Sequence, residues 1–427
     1  MRPSKRFIAF VDDAGAQERL AELLGRENVV CVSRLPLGPG VLRAARGDRD
    51  ALFAECRHLH ERRAFSGVIQ WHEQYVIVAT ELARHLGLPT HLGDPWIARD
   101  KLRMRQAFEG RVASPQSVLL REGENLDVSA LPPFPCILKP RYGCGSICAI
   151  RVDDEQELVR ELREKRDKLV TTRLHEVFDI EIPTEPDFLC EAFVGGSEHS
   201  VESLVVDGEV KLQLLSDKLP MTPPYFVEVG DVMPSALPEP EQERVLAATR
   251  AAISALDIRS GWTHTEVKID RGVPSVMEVG ARLGGGYTRD LVLDVYGIDM
   301  LAMLVDMHRG SLELPNVTAR KAVVGSRLVC KNISFIWRVD ELQRVLELPY
   351  VRLLGGQSAR RVRGACLGVP YSYAGTLLTY FVSGSSPAEA LARATEVSAR
   401  MHWRGLELRL PPALYAAYLR LKRRAQI

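Results

Sequence analysis

The sequence lacks several features that would assign it to a specialised class of protein. It contains no apolar run long enough to cross a membrane, and it shows no internal repeat and no low-complexity linker. Lysine and arginine (56) nearly balance aspartate and glutamate (55), and the net charge of +1 argues against a dedicated nucleic-acid binder. We therefore expect an ordinary soluble globular protein, and 427 residues predict two or three domains.

The eight cysteines do not form a recognisable metal site. Cys144 and Cys148 are the closest pair, but no second pair at metal-type spacing accompanies them. Free thiols in a reducing cytosol are the favoured interpretation. The first residues, "MRPSKRFIAFVDD", lead directly into a predicted strand without a cleavable signal, so we expect a cytoplasmic protein.

Periodicity predicts an α/β protein whose character changes along the chain. Residues 1–96 alternate strands ("KRFIAFVD", "NVVCVS", "FSGVIQWH") with helices, which predicts a small parallel α/β unit. The middle of the chain combines strands such as "FPCILKP", "SICAIRV" and "FLCEAFV" with a charged helix, an irregular loop "HEVFDIEIPTEPD" and an Asp-Gly turn at 207–208. Beyond about residue 310, strands and helices alternate again.

A predicted β-hairpin places two glutamates opposite each other. Its strands are "WTHTEVKI" and "SVMEVGAR", and the segment between them is "DRGVP". If the turn is centred near Gly272, Glu266 lies opposite Glu278. Because side chains alternate along a strand, His264 shares the face of Glu266, and Arg282 shares the face of Glu278.

Opposed carboxylates about 5 Å apart are destabilising, so a positive group is expected between them. Lys268 or Arg282 could supply it in a surface charge ladder. A divalent cation is the alternative, because Mg²⁺ takes few protein carboxylates and completes its shell with water and phosphate oxygens. The hairpin alone leaves both alternatives open.

A glycine-rich loop joins two predicted strands in "ILKPRYGCGSICAI". It is neither a Rossmann nor a Walker loop, because each of those leads from a strand into a helix. A glycine-rich hairpin can fold over polyphosphate with its backbone N–H groups, and Lys139 would add a point charge. An ordinary hairpin with a surface lysine is the alternative.

Five motifs follow one another along the chain: "RDK", "ILKPRYGCGS", "FLCEAFVGGSEHSVE", "GWTHTEVKI" and "VMEVGARLGGG". Together they resemble the ATP-grasp superfamily, and within it the carboxylate–amine ligases of the L-amino-acid ligase type. The resemblance extends from about residue 5 to 400. It implies an N-terminal Rossmann-like pre-ATP-grasp domain (1–96), an ATP-grasp domain (97–310) and a C-terminal α/β lid subdomain with a tail helix (311–427). The ATP-grasp domain would be α+β, with a small subdomain at about 120–192 and a large one at about 193–310.

The resemblance implies a nucleotide site built from separate motifs. Lys101 and Lys139 would contact the ATP phosphates, and the loop from Gly143 through Gly145 to Ser146 would close over them. The backbone of Glu191, Ala192, Phe193 and Val194 would bind the adenine edge, and Glu198 would hold the ribose hydroxyls. Glu266 and Glu278 match the magnesium ligands of the superfamily, with one or two Mg²⁺ ions and with Mn²⁺ able to substitute.

The resemblance also implies which residues face the reacting groups. Arg282 matches an arginine that steadies the acyl-phosphate, and Lys139 assists it. His264 would position substrate, act as a base or simply pack. Gly285 and Gly286 would let backbone approach the substrate, and Glu228 and Asp231 lie in a substrate segment.

Two positions depart from the pattern that many relatives share. Gly280 stands where an asparagine is common, and Gly280 cannot offer a side-chain oxygen to a second metal ion. Asp231 stands where a histidine is usual. Asp231 is predicted to contact a cationic group of a substrate, with a solvated loop aspartate as the alternative.

The implied activity is the ATP-dependent joining of a carboxylate, such as an amino acid, to an amine through an acyl-phosphate, which gives an amide, ADP and phosphate. The glycine loop, the "FDIEIPTEPD" region and the C-terminal subdomain would exclude water. The expected partners are small-molecule acids and amines, without nucleic acid or membrane, and a homodimer is common in such families. The alternatives are a carboxylase of the same fold, a nucleotide-binding protein without turnover, and an interaction module based on the tail "AAYLRLKRRAQI".

Overall fold

The computed structural model describes residues 5–44, 48–146, 148–172, 187–221, 226, 228–329, 333–339, 341–356, 364–366, 376–401 and 403–408. These residues form a mixed α/β protein, which confirms the predicted fold class. The predicted loop at 175–187, apart from Asp187, and the predicted tail helix at 416–427 lie outside them.

The N-terminal part of the chain is the predicted parallel α/β unit. Its sheet has the order β3-β2-β1-β4, with every pair parallel. The elements are β1 (Arg6–Phe10), α1 (Ala14–Leu24), β2 (Val29–Ser33), β3 (Leu42–Arg43), α2 (Arg49–Arg63), β4 (Phe65–Ile69) and α3 (Val76–His85).

A four-stranded antiparallel sheet follows, in the order β5-β8-β6-β7. It packs with Leu158 and Leu162 of α5 in a separate core. The predicted strand "SICAIRV" is shorter than expected, because residues 145, 146 and 148 lie in turns and Ser146 and Cys148 adopt positive φ angles. The elements are α4 (Lys101–Phe108), β5 (Ser117–Leu120), β6 (Cys136–Pro140), β7 (Ile150–Val152), α5 (Glu155–Thr172) and β8 (Phe188–Ala192).

An eight-stranded antiparallel sheet, β13-β12-β9-β10-β11-β14-β18-β16, joins the middle of the chain to the C-terminal part. Its first elements are β9 (Ser197–Val206), β10 (Glu209–Lys218), β11 (Gly230–Met233), α6 (Glu239–Ala255), β12 (Gly261–Asp270), β13 (Val273–Gly280), α7 (Thr288–Tyr296) and α8 (Met300–Arg309). The predicted Asp-Gly turn connects β9 to β10, and the predicted hairpin is β12–β13.

The C-terminal elements extend this sheet and add a small one, β17-β15-β19. They are β14 (Ala322–Val329), β15 (Ile333–Val339), α9 (Leu342–Leu346), β16 (Val351–Gly356), β17 (Gly364–Cys366), β18 (Thr376–Gly384), α10 (Pro387–Arg400) and β19 (Trp403–Leu408). Because β14 pairs with β11, the large sheet crosses the predicted boundary at residue 310. The domain boundaries themselves stay predictions.

Two cores cover the large sheet on its two faces. One contains Leu204 and Leu214 of the sheet with Leu301 of α8 and Phe7 of β1, so the N-terminal unit shares it. The other packs α6 against the opposite face. No helix in the described part of the chain combines the length and apolar character needed to cross a bilayer.

Gly196, just before β9, adopts a φ of +75° and its Cα faces the carbonyl of Ile269 so closely that a Cβ would overlap the oxygen. Gly208, in the β9–β10 turn, has a φ of +81° but open space around it. Both glycines have a positive φ, but only at Gly196 would a side chain also overlap a neighbouring atom.

We predict that Gly208→Ala lowers the free energy of unfolding by about 1–2 kcal/mol, the cost of a left-handed alanine. Gly196→Ala should cost about 1–3 kcal/mol more, because overlap adds to the same strain. Urea unfolding of both variants measures the difference. Equal losses would contradict the close approach at Ile269.

Candidate active site

One cavity of about 1000 Å³ brings together every residue that the sequence marked as a candidate. Residues of the four-stranded antiparallel sheet and of the eight-stranded sheet line it, and residues 71–74 of the N-terminal unit contribute as well. The predicted residues in its wall are Lys101, Lys139, Gly143, Gly145, Ser146, Glu191, Ala192, Phe193, Val194, Glu198, Glu228, Asp231, His264, Glu266, Glu278, Arg282, Gly285 and Gly286. The motifs therefore converge in space, while the role of each residue stays a prediction.

The hairpin β12–β13 has the predicted register. Glu266 pairs with Glu278, and His264 pairs with Gly280. The register then shifts between Glu266 and Val267. Such a bulge re-aims neighbouring side chains, and both carboxylates lie in the cavity wall.

The positive groups beside the two glutamates are not those that the sequence suggested. Lys268 Nζ donates to the Val194 carbonyl (2.8 Å), and Arg282 turns to Glu73. Instead, Lys101 Nζ lies 3.3 Å from a Glu278 oxygen, and Lys218 Nζ lies 2.7 Å from Glu266 Oε1. The charge-ladder alternative is therefore wrong, because neither Lys268 nor Arg282 pairs with these two glutamates.

The donor set of the hairpin fits a hard cation. Glu266 and Glu278 offer carboxylate oxygens, which Mg²⁺ prefers, and the ion fills its remaining positions with water and phosphate. Within the described ranges, no group of three or more His, Cys, Asp or Glu side chains is placed to hold a metal by itself. A cation here would thus need oxygens from a substrate as well.

Gly280 leaves space that a guanidinium uses. A Cβ at this position would lie 3.2 Å from Arg282 Cζ and 3.3 Å from Glu73 Oε2. The position where many relatives have asparagine therefore faces an ion pair in this chain. The number of metal ions stays a prediction.

The two phosphate-side lysines are held by different partners. Lys101 begins α4 and donates to the Gly143 carbonyl at 2.8 Å, so it touches the glycine loop directly. Lys139 Nζ lies 2.7 Å from Glu191 Oε2, and Arg105 Nε lies 3.0 Å from the other oxygen of Glu191. Both ammonium groups reach the same cavity.

Asp100 connects the start of α4 to the glycine loop. Its carboxylate caps the helix by accepting from Leu102 N (2.9 Å) and binds the Arg141 guanidinium at 2.9 and 2.6 Å. Tyr142 O–H also donates to it (3.1 Å). The sequence signal was the "RDK" motif, in which Asp100 precedes Lys101.

Lys218 lies at the centre of an acidic cluster that the sequence did not reveal. Its Nζ is 2.8 Å from Glu198, 2.8 Å from Glu228 and 2.7 Å from Glu266, and its side chain is 3% exposed. These carboxylates lie in three different predicted subsites. The feature of the sequence that could have indicated Lys218 is the strand "KLQLLSDK", which ends in a lysine after several apolar residues.

Arg282 is fixed by a buried carboxylate from the N-terminal unit. Glu73 accepts from Arg282 Nε (2.6 Å) and pairs with Arg99, whose side chain is 1% exposed. Burial raises the pKa of Glu73, but the two arginines outweigh it and lower the pKa to about 2. Sequence analysis missed Glu73, which is 209 residues from Arg282.

His264 forms a buried ion pair with Glu202, which also accepts from Gly284 N at 3.0 Å. Burial by itself lowers the pKa of His264, but the Glu202 carboxylate outweighs it and raises the pKa to about 10. An imidazolium has no lone pair to accept a proton. The geometry therefore favours a positioning role for His264 over that of a general base at neutral pH.

The far end of the cavity combines Glu228, Asp231 and Arg327. Arg327 Nη1 lies 3.2 Å from Glu228 Oε2, and its guanidinium stacks 4.5 Å from the Tyr287 ring centroid. A Cβ on Gly286 would overlap this guanidinium. The space beside Gly286 is thus occupied by an arginine from β14.

The sequence and the fold of this chain are similar to those of known proteins. Residues 132–290 match the family model of the ATP-grasp domain, a stretch that includes the glycine loop, the hairpin and Arg282. These residues are therefore similar to an ATP-grasp domain. The predicted resemblance is confirmed.

A solved structure described as an L-amino acid ligase from Bacillus licheniformis has the same fold. It superposes with a TM-score of 0.74 over 95% of this chain and 100% of that chain, at 21% identity. At this identity the likeness establishes the fold alone. The fold of that structure is therefore shared by nearly the whole protein.

Two curated relatives are similar in sequence over a shorter range. Alanine–anticapsin ligase of Bacillus subtilis is 28% identical over 232 residues, which are 49% of this chain and 46% of that protein. Carnosine synthase 1 of Homo sapiens is 29% identical over 181 residues, 40% of this chain and 21% of that protein. The chain thus spans about half or less of the length of these relatives.

We predict that Glu73→Ala lowers the free energy of unfolding by about 3–5 kcal/mol, because it leaves buried arginine charge without its partner. The control is Glu81→Ala, which breaks the surface pair with Arg49 (2.7 Å) and should cost less than about 1 kcal/mol. Denaturant unfolding compares the two. Similar losses would contradict the buried role of Glu73.

We also predict a pH signature for the Glu202–His264 pair. The pKa of about 10 lies above the roughly 6.5 of an unfolded histidine, so the pair stabilises the fold fully below that value. The contribution is lost as the pH rises toward 10. Between about pH 7 and about pH 9.5, the free energy of unfolding should fall more steeply in the wild type than in Glu202→Gln.

Urea unfolding at several pH values measures these slopes. His264→Gln should reproduce the shallow slope of Glu202→Gln, because either change removes the ion pair. A wild-type slope that both variants retain would show that another group causes it.

Proposed function

We propose that this protein is an ATP-dependent ligase that joins a carboxylate to an amine through an acyl-phosphate. The observation that carries the proposal is the convergence of oxygen ligands for a cation, two phosphate-side lysines and an anchored arginine in one cavity. The similarity to alanine–anticapsin ligase and carnosine synthase, over about half of this chain or less, supports the same class of reaction.

The substrate of the first step is ATP. Lys101 and Lys139 would bind its phosphates, and the Lys101 contact with Gly143 links that charge to the glycine loop. Glu191 and Ala192 end β8 at the cavity, and the backbone of residues 191–194 would bind the adenine edge. Glu198 would accept from the ribose hydroxyls.

Magnesium would be held by Glu266 and Glu278 together with phosphate oxygens. When bound, it neutralises negative charge on the transferred phosphoryl group. Lys218 and Lys101 already neutralise the two glutamates from the protein side. The residues present therefore fit this ion, and Mn²⁺ would substitute for it.

The chemistry requires two displacements. A carboxylate oxygen of the acid attacks the γ-phosphorus, the bond between the β- and γ-phosphates breaks, and ADP leaves. The neutral amine then attacks the acyl carbon, inorganic phosphate leaves with the C–O electron pair, and the amine proton passes to phosphate or water. Most of the catalysis is positioning and charge neutralisation.

Arg282 would stabilise the charge that develops on the acyl oxygens. Its guanidinium lies in the cavity wall, and Glu73 holds it from behind. Such preorganised donors need no reorientation during the reaction. The acid and amine are small molecules, and the cytoplasmic location and a homodimer remain expectations of the sequence.

We predict phosphate release from Mg-ATP that depends on an acid–amine pair. An amino-acid panel, tested singly and in pairs, should give a product whose mass is the sum of both substrates less water. Glu278→Gln should lower the rate by about 100-fold or more, because removal of one charge-stabilising group commonly costs that much. The surface control Glu209→Gln should not.

Release that requires bicarbonate instead of an amine would indicate a carboxylase of the same fold. Tight ATP binding without turnover of any pair would contradict the ligase and favour a protein that only binds nucleotide. Mass spectrometry of the products separates these outcomes.

A further inference from the structure

Asp231 presents a carboxylate to the cavity in an arrangement that differs from that of its neighbours. It lies on β11 in the cavity wall, where it pairs in register with Lys218 of β10 and Gly325 of β14. Tyr287 O–H donates to Oδ2 at 2.7 Å. No hydrogen bond from the part of the chain that the structure describes reaches the other oxygen, Oδ1.

The adjacent Glu228 differs in this respect. One of its oxygens lies 2.8 Å from Lys218 Nζ, and the other lies 3.2 Å from Arg327 Nη1. Two cations thus neutralise Glu228. Asp231 has no ion pair within 4 Å among the described side chains, so it is the carboxylate at this end that can take a further cation.

Tyr287 holds Asp231 in a fixed orientation. The Tyr287 hydroxyl also lies 3.0 Å from the Gly325 carbonyl, and its ring packs under the Arg327 guanidinium and against Phe381. The carboxylate is therefore preorganised before any ligand arrives, which reduces the cost of binding.

A buried carboxylate is costly unless it is paired with a cation. Burial and the nearby Glu228 carboxylate raise the pKa of Asp231 to about 6. The group is thus ionised at neutral pH in a place where a positive ligand would stabilise it.

We propose that Asp231 binds an ammonium group of one substrate. This inference rests on the proposed ligase function and names the chemistry that the substrate must bring. The attacking amine is not the source, because it must be neutral to react. Two sources remain: the α-ammonium of the amino acid that donates its carboxylate, and a side-chain ammonium of a basic amino acid.

Two pairs of probes distinguish these sources by calorimetry, with Mg²⁺ and a non-hydrolysable ATP analogue bound. L-Alanine and propionate differ in the α-ammonium, and L-ornithine and L-norvaline differ in the side-chain ammonium. The wild type should bind the ammonium-bearing member of one pair about 10- to 100-fold more tightly, as expected for a hydrogen bond to a charged group.

Asp231→Asn keeps the size of the side chain and removes its charge, so it should reduce that preference to within about threefold. Asp231→Glu should retain part of it. The matched control is Asp207→Asn, which removes a carboxylate from the exposed β9–β10 turn and should leave every ratio unchanged. Thermal unfolding and binding of the ATP analogue show whether each variant is folded.

A preference in the alanine pair that Asp231→Asn removes assigns the α-ammonium, and one in the ornithine pair assigns the side chain. The proposal is overturned if the wild type shows neither preference, if none of the four probes binds, or if folded Asp231→Asn keeps the wild-type ratio. Because these ratios come from binding, they stand apart from phosphate release. A failure of the ligase function would appear as absent release alone.

Discussion

The ammonium of Lys218 is the interaction on which the cavity depends. Glu198, Glu228 and Glu266 all lie within 2.8 Å of it. Without a shared cation, these three partly buried carboxylates would repel one another. Instead, burial is outweighed at Glu228, where Lys218 and Arg327 lower the pKa to about 2.

The large sheet explains how one lysine reaches two of these carboxylates. Lys218 ends β10, with Glu198 at the start of the neighbouring β9 and Glu266 on β12 one strand further. Antiparallel strands place the end of one beside the start of the next, so groups from distant parts of the chain meet at one edge. Such buried ion pairs add little net stability, because desolvation offsets attraction. Their effect is to fix the positions of the charges.

The same reasoning explains what the sequence could predict. The opposition of Glu266 and Glu278 follows from local features, namely alternation along two strands and a short turn at Arg271–Gly272. The glycine loop and the strand in "FLCEAFV" are likewise local. The motif order then placed them in one fold, because the ATP-grasp resemblance covered them together.

The partners of those residues could not be predicted in this way. Glu73 lies 209 residues from Arg282, Glu202 lies 62 from His264, and Lys218 lies 48 from Glu266. Each contact depends on tertiary packing that periodicity does not encode. For the same reason the charge-ladder alternative named Lys268 and Arg282, which are the nearest cations along the hairpin. In the fold, Lys101 and Lys218 lie closer to the two glutamates.

Long-range contacts also explain two glycines of the cavity wall, Gly280 and Gly286. In the sequence alone, Gly280 indicated a missing metal ligand and Gly286 indicated a close approach of backbone to the substrate. In the fold, the Arg282 guanidinium packs over Gly280 and the Arg327 guanidinium packs over Gly286. Each glycine is therefore the space for an arginine, and each arginine is held there by a carboxylate, Glu73 or Glu228. Because a side chain at either position would press against a paired guanidinium, the glycine, the arginine and the carboxylate constrain one another.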